Sequence, residues 1–293
     1  MSLPKCFLEQ KIAIVTGASS GIGRAVARSL ANAGVNVVLA ARREETLLQV
    51  RDELIEQTGV KALAVPTDVS RLSELDRLVE EAIAEFGQID ILVNNAGVEC
   101  FAHLHELPPE QIAQTVQVNL TGAIQLTNLV IPHMLPQRWG HVVNMSSTAG
   151  QYGPPYGAVY AATKAGLIAF TQSLRVEYRA SGVRASAICP GFARDGGIYE
   201  TIRAAVGKET PRLIGGTTAD AVARATVRAI RKDQPEVIVN HPPVRPFVAA
   251  AKAFPRLGEY LVRKFALRYF RTIVRHRTHE CADSVAVTQR DAA

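Results

Sequence analysis

Cysteine is scarce in this chain: Cys6, Cys100, Cys189 and Cys281 are the only four in 293 residues, and none forms a Cys-x-x-Cys pair. That scatter argues against a disulfide framework or a cysteine zinc site and fits a reducing compartment. The opening stretch "MSLPKCFLEQK" lacks the apolar run of a signal peptide, so a cytoplasmic protein is expected. Internal repeats and low-complexity segments are missing too. Residues 111–137 contain no Asp, Glu, Lys or Arg, yet Gln, Asn and Thr recur through them, which favours burial in a core or subunit interface over a membrane span. The histidine clusters "HLH" (His103 to His105) and "HRTHEC" (His276 to Cys281) have no second half at ligand spacing, so no metal site is expected.

Hydrophobic residues make up 47% of the chain and charged ones 20%, an ordinary balance for a soluble globular protein. The net charge of +6 is unevenly spread. Between residues 245 and 277 nine basic residues face one acid, Glu259, for a local +8 that leaves −2 on the rest. A near-neutral body removes the main support for nucleic-acid binding.

Short β-branched runs alternate with helical patterns: "KIAIVTG", "NVVLAA", "KALAVPTD", "IDILVNNAG", "HVVNMSS", "RASAICPG" and "EVIVN". Such alternation predicts an α/β, doubly wound, Rossmann-like fold with a seven-stranded parallel sheet and helices on both faces. The alternation stops after Asn240, where "HPPVRP" marks a boundary. The expected organisation is one α/β domain over 1–240, which the motifs below make the dinucleotide-binding and catalytic unit, and a basic amphipathic helical extension over 241–293, flexible at its end.

The first strand ends in "TGASSGIG", with Gly17, Gly21 and Gly23 leading into "RAVARSLANAG". Glycines there let the backbone approach a pyrophosphate, and the following helix points its N-terminal N–H groups at the anion. Two stretches, "YAATK" (Tyr160 to Lys164) and "YLVRK" (Tyr260 to Lys264), have the pattern Tyr-x-x-x-Lys, which stacks the two side chains on one helix face. A neighbouring ammonium lowers a phenol's pKa, so either tyrosine is a candidate general acid or base.

From Gln10 to Asn240 the chain resembles the short-chain dehydrogenase/reductase family, on "TGASSGIG", "TDVS" with Asp68 and Val69, "NNAG" from Asn94 to Gly97, "VNLTG" with Asn119, "YAATK", and "CPG" with Pro190 and Gly191. The resemblance implies a catalytic set of Asn119, Ser147, Tyr160 and Lys164, with Ser147 thirteen residues before Tyr160. It implies a cofactor site of Gly17, Ser19, Ser20, Gly21, Ile22, Gly23, Arg42, Arg43, Asp68, Val69, Asn95, Ala96, Gly97, Pro190 and Gly191, with Tyr160 and Lys164 shared. Tyr160 would exchange a proton with a carbonyl oxygen, Ser147 would stabilise that oxygen, Lys164 would lower the Tyr160 pKa and hold the nicotinamide ribose, and Asn119 would fix a water beside Lys164. Ser146, pointing the opposite way from Ser147, is assigned a structural role. Tyr260 fails the family test, because Phe247 stands thirteen residues before it, and is set aside as a helix-surface coincidence.

At the end of the second strand, where an NAD enzyme of this family carries an acid, the chain has Ala41 followed by Arg42 and Arg43. NADP(H) is therefore the expected cofactor, with Arg42 the first candidate for the 2′-phosphate and Arg43 a solvated helix-start charge; Ser20 lacks the basic residue many NADP-preferring relatives carry. The resemblance breaks at Asp195, where relatives have a threonine. Residues 192–216 read as a substrate lid with Gly196, Gly197, Gly215 and Gly216 as hinges, and Ile198, Tyr199 and Ile202 fit either an apolar substrate or simple lid packing. Expected partners are a small carbonyl or alcohol and further copies of the chain, as a homodimer or homotetramer through residues 118–135 and 160–178. A dormant NADP(H) sensor acting through the tail is the alternative function. Over 257–277 an apolar face (Leu261, Val262, Phe265, Tyr269, Phe270, Ile273) opposes a basic one (Lys264, Arg268, Arg271, Arg275), a pattern open to an anionic membrane surface, to packing on the chain's own body over the cleft, and to a protein partner.

Overall fold

A computed structural model describes residues 5–99, 101–194 and 215–274. All seven apolar runs form strands: β1 (Ile12–Thr16), β2 (Asn36–Ala41), β3 (Ala62–Pro66), β4 (Ile91–Asn94), β5 (Gly140–Met145), β6 (Val183–Pro190) and β7 (Glu236–Val239). They join one parallel sheet in the order β3-β2-β1-β4-β5-β6-β7. Helices cover it: α1 (Gly21–Ala31), α2 (Glu44–Thr58), α3 (Leu72–Phe86), α4 (Pro109–Val116), α5 (Gly122–Met134), α6 (Thr148–Gln151), α7 (Ala158–Glu177) and α8 (Ala219–Lys232).

Strand side chains alternate between two cores. Val15, Leu39 and Val93 join α1 and α8 on one face, while Ile14, Val38 and Leu92 join α3 and α5 on the other. Burial on both faces explains why the strands read as continuous apolar runs. Each fully buried Leu or Ile contributes roughly 1.5–3 kcal/mol. Because β1 pairs with β2 on one side and β4 on the other, the order reverses there, and a crevice opens beyond the carboxyl ends of the strands.

The helix expected over 118–135 differs in one respect: residues 117–121 form a π-helical turn between α4 and α5. The cause is local. Asn119 turns inward, its Oδ1 accepting from the Val98 N–H at 2.7 Å and its Nδ2 donating to the Val98 carbonyl at 2.8 Å, so the helix bulges to admit this clamp on the loop after β4.

After β7 come α9 (Arg245–Ala253), α10 (Pro255–Phe265) and α11, residues 267–274. Tyr269, Phe270 and Ile273 of the expected apolar face are buried with Phe101, against Tyr156, Tyr160 and Phe192. Of the readings open for the tail, packing on the chain's own body is the one this portion adopts. Lys264, Arg268 and Arg271 stay exposed. Cys100, Asp195, the hinges Gly196 and Gly197, Ile198, Tyr199, Ile202, Arg275 and the segment from His276 to Cys281 lie outside the described residues. Among the described residues no helix is long and apolar enough to cross a membrane, and no cluster of three metal-ligating side chains occurs.

Candidate active site

The crevice is a cavity of about 1180 Å³. Its walls include every expected cofactor residue from Gly17 to Gly191, together with Ser147, Tyr160 and Lys164; only Asn119 stands behind the wall. The loop after β1 has no room for a side chain at Gly17 or Gly23. Gly17 has a left-handed φ of 67°, and a Cβ on Gly23 would collide with the Gly17 carbonyl oxygen. Ser20, at the N-cap of α1, makes no side-chain bond to the helix, which leaves the first N–H groups of α1 available to an anion. The neighbouring loop after β4 is held against it by Thr16, a residue the sequence reading missed: its hydroxyl accepts from the Asn95 and Ala96 N–H groups at 2.9 and 3.0 Å. Its place at the end of β1, facing "NNAG", was the available signal.

Arg42 and Arg43 stand at the rim. Arg43 does more than cap a helix: although exposed, its Nη2 reaches the hydroxyls of Ser19 at 3.3 Å and Ser20 at 3.2 Å. The tight loop brings both serines within its reach, which favours the cofactor-site reading of Arg43 over that of a merely solvated helix-start charge. Burial works to raise the Asp68 pKa, but hydrogen bonds from the Ser70 N–H and hydroxyl, with the Arg42 and Arg71 charges, hold it below the usual carboxylate value.

At the other end of the cavity α6 and α7 meet β5. Ser147 caps α6, its hydroxyl accepting from the Ala149 N–H at 3.1 Å, while the adjacent Ser146 is buried and donates to the Lys164 carbonyl at 2.7 Å. The two serines point apart, one to the cavity and one into the scaffold. Lys164 is buried, donates from Nζ to the Met145 carbonyl at 2.9 Å, and lies 5.7 Å from the centre of the Tyr160 ring. Lys164 and Asn119 flank Gly97, where a Cβ would sit 3.4 Å from Lys164 Nζ and 3.2 Å from Asn119 Oδ1.

The electrostatics correct one expectation. Burial pushes the Tyr160 phenol up to about 12; a hydrogen bond with Ser147 opposes this and the Glu99 charge adds to it. Burial also pulls the Lys164 ammonium down to about 8. The net shift of Tyr160 is thus upward and not downward, because exclusion of water is the largest influence on the phenol. Glu99, Phe101, Tyr152, Phe192 and Phe270 also line the cavity. None was singled out as a site residue: Phe270 was read only as part of the tail's apolar face, and no sequence period marks the other four. Tyr260 is 57% exposed, and its hydroxyl has Lys264 Nζ 3.5 Å away on the helix surface.

A family model described as short chain dehydrogenase matches residues 11–205. The ketoacyl reductase HetN of Nostoc sp. is 38% identical over 237 residues, covering 81% of this chain and 81% of that protein. A crystal structure of an actinorhodin polyketide ketoreductase with NADPH superposes with a TM-score of 0.73 at 31% identity, covering 79% of this chain and 96% of that one. A short chain dehydrogenase/reductase from Burkholderia phymatum in complex with NAD gives a TM-score of 0.75 at 30% identity, over 85% of this chain and 95% of the other. Helices α9 to α11 lie beyond the residues that the family model matches.

Proposed function

The chain belongs to the short chain dehydrogenase family, and from that premise we propose that it is an NADP(H)-dependent oxidoreductase interconverting an apolar carbonyl compound and its alcohol. The observation that carries this reading is the meeting of Ser147, Tyr160 and Lys164 in the same cavity as the glycine loop and Arg42. A dinucleotide suits the residues present: the Gly17 to Gly23 backbone and the α1 N-terminus would take its pyrophosphate, and Arg42 with Arg43 would take a 2′-phosphate. Bound there, it would supply the hydride acceptor or donor.

The chain's own groups do the rest. Ser147 donates a hydrogen bond to the substrate oxygen and steadies the charge that develops on it. Tyr160, kept protonated by burial, delivers its phenolic proton to that oxygen in the reducing direction and withdraws it in the reverse. Lys164, fixed by the Met145 carbonyl, presents its ammonium beside Gly97 to the ribose hydroxyls. Asn119 holds the loop carrying Gly97 and Val98 in place.

NADPH oxidation with a panel of ketones and aldehydes tests the reading. Tyr160→Phe is expected to keep NADPH binding and lose roughly a hundredfold to ten-thousandfold in turnover, the usual worth of general acid catalysis. Tyr260→Phe should be close to neutral. Tight NADPH binding by a parent protein inactive on every carbonyl would instead favour a dormant sensor.

A further inference from the structure

Resting on the reading of this cavity as a carbonyl-reducing site, we infer that the substrate carries an extended aliphatic chain and that α9 and α10 form the wall on which the chain lies. The cavity does not stop at Ser147 and Tyr160. Phe101 lies 5.9 Å from the Tyr160 ring and stacks on Phe270 at 5.7 Å, so an apolar surface leads directly from the phenol to the tail. Further along, Tyr152 meets Phe247 edge-on at 5.6 Å, and Val262 and Phe265 of α10 complete the lining.

Charge decides what this arm accepts. The tail is the most basic part of the chain, yet among the described residues none of those lining the cavity from Asn240 onward is charged. Arg256, Arg263, Lys264 and Arg268 are exposed and turned away from it. A polar or anionic substrate arm would leave such a wall without a single ionic partner, whereas an alkyl chain is desolvated by it along its length.

The wall is also built into the catalytic scaffold. Lys252 Nζ donates to Gln151 Oε1 at 2.9 Å, tying α9 to α6, the short helix that Ser147 caps. Gly258 lets α10 close down: a Cβ there would sit 2.7 Å from the Ala251 Cβ and 2.8 Å from the Tyr152 hydroxyl. Position of the reacting carbonyl and position of the chain wall are thereby coupled.

A homologous series from butan-2-one to decan-2-one reads this out in the full-length enzyme. Full burial of each methylene is expected to raise kcat/KM by up to about fourfold until the arm is filled. Val262→Gln should reduce the decan-2-one to butan-2-one ratio of kcat/KM by tenfold or more, and Tyr260→Gln, on the exposed side of the same helix, should leave the ratio unchanged. If Val262→Gln does not fold, Phe265→Ser at the half-exposed edge of the wall must lower the same ratio. A ratio flat along the series, or shifted equally by the Val262 and Tyr260 changes, overturns the inference while leaving the reductase intact. No turnover of any ketone by the parent enzyme overturns the reading of the site itself.

Discussion

Replacing Lys164 by Met separates what burial of this lysine does for function from what it does to stability. The residue is 4% exposed and its ammonium donates to the Met145 carbonyl. Its pKa falls from 10.5 to about 8 through burial, equivalent to roughly 3 kcal/mol of cost to the charged native state near neutral pH. Methionine keeps the apolar stem and removes that cost, but also removes a charged hydrogen bond worth ~1.5–3 kcal/mol. The two nearly cancel, so Lys164→Met is expected to melt at the parent's temperature or a few degrees above it near neutral pH, while turnover falls by roughly a hundredfold or more. The pH dependence has a definite sign. Between about 8 and 10.5 the native lysine has lost its proton and the unfolded one has not, so the parent gains stability with rising pH in that window. The variant lacks this gain, and its melting temperature should drop relative to the parent's as the pH rises. Paired thermal melts by circular dichroism at several pH values, with NADPH turnover beside them, make the measurement. A variant destabilised by more than ~3 kcal/mol near neutral pH, or a melting gap indifferent to pH, would refute the account of Lys164 as a costly buried charge.

Arg42→Ala is expected to weaken NADPH by about tenfold or more with little effect on NADH, since a charged bond to phosphate is worth ~1.5–3 kcal/mol. Arg43→Ala should act in the same direction, because Arg43 already reaches Ser19 and Ser20; equal losses for both cofactors would remove the arginines as discriminators. Light scattering at micromolar concentration is expected to give a homodimer or homotetramer, with Ile124 of α5 and Val176 of α7, 37% and 80% exposed, covered by the neighbouring subunit; a monomeric mass contradicts it. Co-sedimentation with anionic liposomes at low salt is expected through Arg256, Arg263, Lys264 and Arg268, each worth about 1 kcal/mol near such a surface. Protein left in the supernatant excludes this role for the exposed face of α10.

Fold and cofactor cradle were legible because their signals are local and periodic. Seven runs such as "KIAIVTG" and "IDILVNNAG" became the seven strands, since residues buried on both faces of a parallel sheet have to be apolar without alternation. The glycines of "TGASSGIG" could be read because close backbone approach forbids a Cβ, and the structure puts the Gly17 carbonyl where one on Gly23 would be. Thirteen-residue spacing brought Ser147 and Tyr160 to one cavity and left Tyr260 on the surface. The π turn at Asn119 was hidden, because it depends on Val98, which is distant in sequence. Glu99, Phe101 and Phe192 were hidden for the same reason: loops carry no period, and what they face is decided by tertiary packing.

The reversal at Tyr160 shows where spacing alone stops being informative. Four residues on a helix place Lys164 beside the phenol, and from that the sign of their interaction follows, but not which effect wins. The outcome depends on how thoroughly water is excluded, and exclusion comes from places that the Tyr-x-x-x-Lys pattern cannot report. Phe101 and Phe270 pack near the ring, and the Phe270 contribution arrives from a tail more than a hundred residues later. Burial acts on both partners, raising the phenol to about 12 and lowering the ammonium to about 8, so two proton affinities that nearly coincide in the free side chains are driven apart. The tail therefore takes part in burying Tyr160. A substitution that loosens the aromatic cluster, such as Phe270→Ala, is expected to readmit water and move the Tyr160 value back toward that of free tyrosine without touching that residue.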